Sequence, residues 1–304
     1  LINQANGMGA PLLTSLQSGA LYPGNLLLTV LPRASAQFFD WFSVAHVGLL
    51  ACGLFLLARR FTEQSWLAAV VAGSLAASLA TIYQINMVHF RAFAWAPWIA
   101  VGLIDLARHP ARSLRAASLF AGATFCAFTA GNPQEAILDY GAATVIATAF
   151  LAREGTWRRW WVLAIAGGAG LLIASTTMLP YLIGVAQEDL WSVADPNRSR
   201  LFLQPIMLLE MIIPRGTGYA GAVWHPGLGF HELQFAWPVA WLMGLVGWGF
   251  AVARQPRLLL WTMPLVIVFI LVLAKLAGVG PWGWISSIPV LNGIRFTKYT
   301  YWTV

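Results

Sequence analysis

A chain of 304 residues that is 59% hydrophobic and only 10% charged, with a mean hydropathy of +0.70, is not a soluble globular domain; such domains carry roughly a quarter charged residues. The formal charge of +7 does not point to nucleic acid, because the basic residues stand in short clusters between apolar spans. Cys52 and Cys126 both fall inside apolar spans and support neither a disulfide framework nor a metal site.

Residues 1–37 form a polar opening rich in Gly, Asn and Gln, read as the end of a first outer loop, with an amphipathic stretch from Leu12 to Tyr22. No signal peptide stands at Leu1, and the chain stops at Val304 as a further span begins, so it reads as a piece of a longer polytopic protein. Apolar spans follow at 38–58, 66–85, 93–107, 116–131, 136–152 and 160–181, a six-helix transmembrane block over 38–181. The third is short and borrows either residues 90–93 or the residues after Asp105. A long outer loop covers 182–235, and within it the apolar stretch 201–213 ends at Pro214 and reads as lying flat on the membrane. Further spans at 236–253 and 258–276 occupy the region 236–304, and a ninth begins near Arg295. The fold class expected is therefore all-α, a polytopic helical membrane protein of eight to nine spans.

The joints after spans one, three, five and seven hold Arg59, Arg60, Arg108, Arg112, Arg115, Arg153, Arg158, Arg159, Arg254 and Arg257. Arginine in short joints marks the cytoplasmic side. The opposite, outer side then holds Asp40, Glu135, Asp139, Glu188, Asp189, Asp195, Glu210 and Glu232, leaving Glu63, Asp105 and Glu154 inside. The 16 tryptophans suit membrane–water interfaces.

Four constellations on the outer side could carry chemistry. The joint Gly131-Asn132-Pro133-Gln134-Glu135 reads either as a turn and helix start or as a polar site. Asp139 lies one turn beyond Glu135 on the same helical face, and an ionisable group inside a span is costly enough to suggest function or a buried pair. His89 and Arg91 end a span and can hold a phosphate, or Arg91 can snorkel at the interface. Arg295 and Lys298, spaced i and i+3, suit a lipid phosphate or interfacial anchoring. His225, His231 and Glu232 match no common zinc spacing, and no metal site is assigned. His46, in the first span, reads either as a functional intramembrane histidine or as a hydrogen-bonded interhelix residue.

The stretch Gly7-Met8-Gly9-Ala10-Pro11-Leu12 with Gln17-Ser18-Gly19 and Tyr22-Pro23-Gly24-Asn25, then His46, then His89 with Trp95-Ala96-Pro97, the turn Gly131-Asn132-Pro133-Gln134, Pro180, Pro214, and Pro289 with Arg295 and Lys298 together resemble the YfhO family of bacterial polytopic membrane proteins. That family is similar to the wider GT-C class of glycosyltransferases. The chain departs from the family pattern at Asn3-Gln4, at Asn132 where the family has histidine, and at Met178-Leu179-Pro180.

The resemblance implies a multi-pass protein of the bacterial inner membrane with its active face outward, partnered by the lipid bilayer and a polyprenyl-phosphate-linked sugar. It implies transfer of that sugar to a cell-surface acceptor. Its catalytic acid would precede Leu1. Arg295, Lys298, His89 and Arg91 would bind the leaving phosphate, and Gln17, Asn132, Gln134, Glu135 and Asp139 are sugar-pocket candidates. No cofactor is visible; a divalent metal is compatible with the class. A lipid-linked-sugar translocator and a non-catalytic membrane scaffold are the alternatives.

Overall fold

The structure, a computed structural model, describes residues 2–3, 10–11, 19–30, 36–77, 88–108, 113–154, 160–187, 218–219, 222–223, 238–256, 259, 262–263 and 266–267. They belong to two units, one formed by residues 1–76 and 83–191, the other by 77–82 and 192–304.

The first unit is a helical assembly. Its helices are α1 (Pro23–Val30), α2 (Ala36–Phe61), α3 (Ser65–Ala76), α4 (Val88–Phe93), α5 (Ala96–Arg108), α6 (Ser113–Thr129), α7 (Pro133–Arg153) and α8 (Trp160–Gln187). A two-residue antiparallel ladder joins β1 (Ile2–Asn3) to β2 (Ala10–Pro11), with Ile2 opposite Pro11. In the second unit, β3 (Gly218–Tyr219) pairs antiparallel with β4 (Ala222–Val223), and α9 runs over Pro238–Arg254. There Trp248 Nε1 donates to Thr262 Oγ1 at 3.1 Å.

Four helical stretches are long and apolar enough to cross a membrane: Gln37–Phe61, Phe90–Arg108, Glu135–Arg153 and Trp160–Pro180. Ser65–Ala76 and Leu114–Thr129 are shorter apolar helices. The expected second span, 66–85, is described only to residue 77, and the expected spans at 258–276 and near Arg295 lie largely or wholly outside the described residues, as do the amphipathic segments at 12–18 and 201–213. The expected third span does borrow residues 90–93. Pro97 has no N–H to continue the ladder at the join. The chain turns at Ala94 and Trp95, with Trp95 N–H bonded to the Ala92 carbonyl at 3.0 Å, and then resumes as α5. Helix α8 runs through Pro180 and on to Gln187, past the expected end at 181.

Helix α5 is the centre of the first unit. Inside this assembly 67% of the Phe90–Arg108 stretch is buried, against 17% for Gln37–Phe61 and for Trp160–Pro180. Ile99, Ala100, Leu103, Ile104 and Ala107 of α5 pack against Phe120 and Ala127 of α6 and Ala143, Ala147 and Phe150 of α7. Small residues set the spacing, as they do where helices meet in lipid and only close backbone approach yields dispersion energy. Ala68, Ala72 and Ala76 make a buried stripe on α3, and Gly102 of α5 lies against the backbone of Phe120. The outward faces stay apolar: Trp41, Val70, Ile165, Leu171 and Leu172 are exposed, as hydrocarbon contact requires.

One end of the assembly is closed by ion pairs. Arg60 of α2 forks onto both carboxylate oxygens of Asp105 of α5 at 2.8 and 2.7 Å. Arg108 reaches Glu154 at 2.8 Å and covers the Phe150 ring at 5.4 Å. The Phe61 and Phe150 rings meet edge to face, 5.3 Å apart. Two of the arginines read from sequence as topological anchors therefore also tie helices together, using two of the three carboxylates placed on their side.

Candidate functional site

At the other end of the same unit, residues 19–25 form the hub. Gly19 has φ +55°, which favours glycine, and opens a turn closed by Tyr22 N–H to the Gly19 carbonyl at 2.9 Å. A β-carbon on Gly19 would lie 2.7 Å from Asn25 Nδ2 and 3.2 Å from the Ala130 carbonyl oxygen, so the turn is seated directly on the α6–α7 joint. Pro23 then begins α1, where its missing N–H costs nothing.

Two side chains of this hub reach the helices. Asn25 donates through Nδ2 to the Gly19 carbonyl at 3.0 Å and accepts through Oδ1 from Arg91 Nη1 at 3.2 Å. The Arg91 guanidinium lies over the Phe42 ring at 5.1 Å. Its remaining N–H groups meet no acceptor among the described residues. One face of the fork is thus covered, while its edge keeps donors for an anion.

Tyr22 is 3% exposed and joins two helices. Trp95 Nε1–H donates to Tyr22 Oη at 3.1 Å, and Tyr22 Oη lies 2.5 Å from His46 Nε2. His46 Nδ1 lies 2.7 Å from the Phe42 carbonyl, which can only accept, so Nδ1 carries the proton. Nε2 of the neutral ring then accepts from the Tyr22 hydroxyl, giving a chain from Trp95 through Tyr22 and His46 to Phe42. His46 is held as an acceptor already in use, a positioning residue and not an open base. Burial pushes the Tyr22 hydroxyl up to about 12.

The expected turn at 131–135 is a helix start. Gly131 has φ +102°, Asn132 is the N-cap and its Oδ1 accepts from Glu135 N–H at 3.2 Å, and Pro133 occupies the first turn. Asn132 is therefore committed to the cap through its oxygen. Glu135 and Asp139 share a face, as their spacing predicts, and both are fully buried. They line no open surface among the described residues.

Three stretches singled out in the sequence thus meet around residues 19–25: His46 through Tyr22, Arg91 through Asn25, and the 130–132 turn through Gly19. His89 falls in α4 and Gln134 in the first turn of α7, but their side chains lie outside the described set. So do Gln17, Arg295, Lys298, His225, His231 and Glu232. Among the described residues no group of three or more His, Cys, Asp or Glu could hold a metal ion.

Tyr22, Asn25 and Trp95 gained no role from their residue chemistry alone. The available signal was the turn-forming Tyr-Pro-Gly-Asn string and a tryptophan two positions before a proline. As an arrangement, the site offers a guanidinium edge for an anion, flanked by a rigid indole–phenol–imidazole chain. Comparison with protein-family models, with curated proteins and with solved structures finds no match for this chain.

Proposed function

We propose that this chain is part of a YfhO-like, GT-C-like membrane glycosyltransferase of eight to nine spans in the bacterial inner membrane, which moves a sugar from a polyprenyl-phosphate donor to a cell-surface acceptor on the outer face. An acceptor hydroxyl attacks the anomeric carbon and the bond from that carbon to the phosphate oxygen breaks. Polyprenyl phosphate leaves, and the acceptor proton passes to a carboxylate that the resemblance places ahead of Leu1. Arg91, Arg295, Lys298 and His89 hold the phosphate as its negative charge grows. Gln17 and Gln134 are the residues assigned to the sugar by the resemblance. Asn132 caps the helix that carries Gln134, and Glu135 and Asp139 are enclosed in the same helix.

The observation that carries this reading is the Arg91 guanidinium, held on Asn25 and Phe42 with its other donors meeting no acceptor among the described residues, in the place where the family-like stretches 19–25, 89–97 and 130–132 converge. Fixed donors aimed at a leaving anion need no reorganisation during the reaction. Arg295→Ala in the intact protein is expected to abolish transfer while leaving protein levels normal; unchanged transfer would remove Arg295 from the phosphate site.

A translocator of lipid-linked sugars is the second reading. One observation favours it, the two carboxyl groups enclosed within the Glu135–Arg153 span, since intramembrane acids often mark a transport pathway.

A further inference from the structure

We infer that Asn25 is the positioning residue of this site, an uncharged acceptor that holds Arg91 so that its guanidinium keeps its full positive charge for a phosphate; this rests on the phosphate-binding reading of Arg91.

The arginines of the first unit are held in two different ways. At one end Arg60 pairs with Asp105 and Arg108 with Glu154, at 2.7 and 2.8 Å. Arg91, partly buried at the other end, belongs to neither ion pair found among the described residues. It is held by the Asn25 side-chain oxygen at 3.2 Å and lies over the Phe42 ring at 5.1 Å. Both partners are neutral. They fix the cation in place without cancelling it, and a partly buried cation with no carboxylate beside it favours an anion from outside the chain.

The amide of Asn25 can sit only one way round. The Gly19 carbonyl only accepts, so it requires the NH2 group, and the Arg91 guanidinium only donates, so it requires the oxygen. An amide meets both demands with no charge. A carboxylate in its place would set an oxygen against the Gly19 carbonyl oxygen and would neutralise Arg91.

The two neutral partners are themselves fixed. A β-carbon on Gly19 would lie 2.7 Å from Asn25 Nδ2, and one on Gly24 would lie 2.7 Å from Phe42 Cζ, so glycine at both positions lets the turn close on the amide and on the ring. Phe42 is stacked on Phe38 at 6.4 Å and meets the His46 ring edge to face at 4.6 Å. The guanidinium is therefore aimed before any ligand arrives, as a preorganised donor must be. Its planar fork matches the paired oxygens of a phosphate. A sugar hydroxyl could accept the same bonds but would leave the charge uncompensated.

The test is equilibrium binding of a short-chain polyprenyl phosphate to the intact protein in detergent, with the uncharged polyprenol as the control for the chain. Asn25→Ala and Asn25→Asp are compared with the wild type once melting midpoints show them folded. Asn25→Glu carries the same charge on a longer arm and stands in if the aspartate variant does not fold. Both Asn25→Ala and Asn25→Asp lose the bond to Gly19, but only the aspartate cancels the Arg91 charge. The phosphate is expected to bind about tenfold or more weakly to Asn25→Asp than to the wild type, with Asn25→Ala between them and polyprenol binding unchanged. A merely structural role gives the opposite order, because aspartate still accepts from Arg91 and alanine cannot. Binding by Asn25→Asp as tight as by Asn25→Ala, or tighter, would overturn the inference and leave the phosphate site standing. A wild-type protein with no preference for the phosphate over the polyprenol would overturn both. The expected order without any sugar transfer would uphold the role of Asn25 and remove the transferase.

Discussion

Gly102→Leu is expected to force α5 and α6 apart and to destabilise the helical assembly by about 3 kcal/mol or more, at or above the upper end of the usual cost of overpacking. A β-carbon at this position would lie 2.8 Å from the Phe120 backbone nitrogen, Cα and Cβ. Backbone cannot rotate away as a side-chain tip can, so the helices themselves must move. Phe120 also packs on Tyr140 at 6.1 Å and belongs to the main apolar cluster, so the wedge displaces α7 as well. Gly122→Leu is the control, because nothing lies within 4 Å of the β-carbon it would add. It should change stability by less than about 0.5 kcal/mol. Denaturant titration of both variants in detergent checks the pair, and equal stabilities would contradict the close α5–α6 approach.

Tyr22→Phe is expected to cost about 2–4 kcal/mol, because one deletion strands two buried partners. His46 Nε2 loses its donor and the Trp95 indole N–H loses its acceptor. The same hydroxyl sets an alkaline limit. Folding raises it from 10.0 to about 12 through burial, so the folded state favours the protonated phenol. The stability it contributes is complete below pH 10 and is lost as pH rises from 10 towards 12. Melting midpoints measured across that range should fall more steeply in the wild-type protein than in the phenylalanine variant. Parallel curves would mean that Tyr22 is not enclosed between α2 and the α4–α5 turn.

Much of the helical layout was legible because apolar runs bounded by arginine or proline leave few choices in a chain this hydrophobic. The start of α7 was legible in part: Asn132 and Pro133 read as a turn with the span opening at 136, whereas the structure uses Asn132 as the cap and already has Pro133 in the first turn of the helix. The shared face of Glu135 and Asp139 followed from spacing alone. What spacing could not provide was partnership across the chain. Trp95 is 73 residues from Tyr22, and Arg91 is 66 from Asn25. Local periodicity holds no information on such pairs.

His46 was legible as a hydrogen-bonded residue, but its partner is not on another span. It is Tyr22, in the turn that precedes α1. The pairing of Arg60 with Asp105 was equally hidden, since charge counting places both on one side without saying which touch.

The most direct test of the proposed chemistry is reconstitution of the intact protein in sealed proteoliposomes with a labelled polyprenyl-phosphate sugar and a hydroxyl-bearing surface acceptor. The proposal predicts that label appears on acceptor presented at one face only, with no movement of the lipid-linked sugar between leaflets. Movement of the lipid-linked sugar across the bilayer without any label on the acceptor would contradict it and establish the translocator in its place.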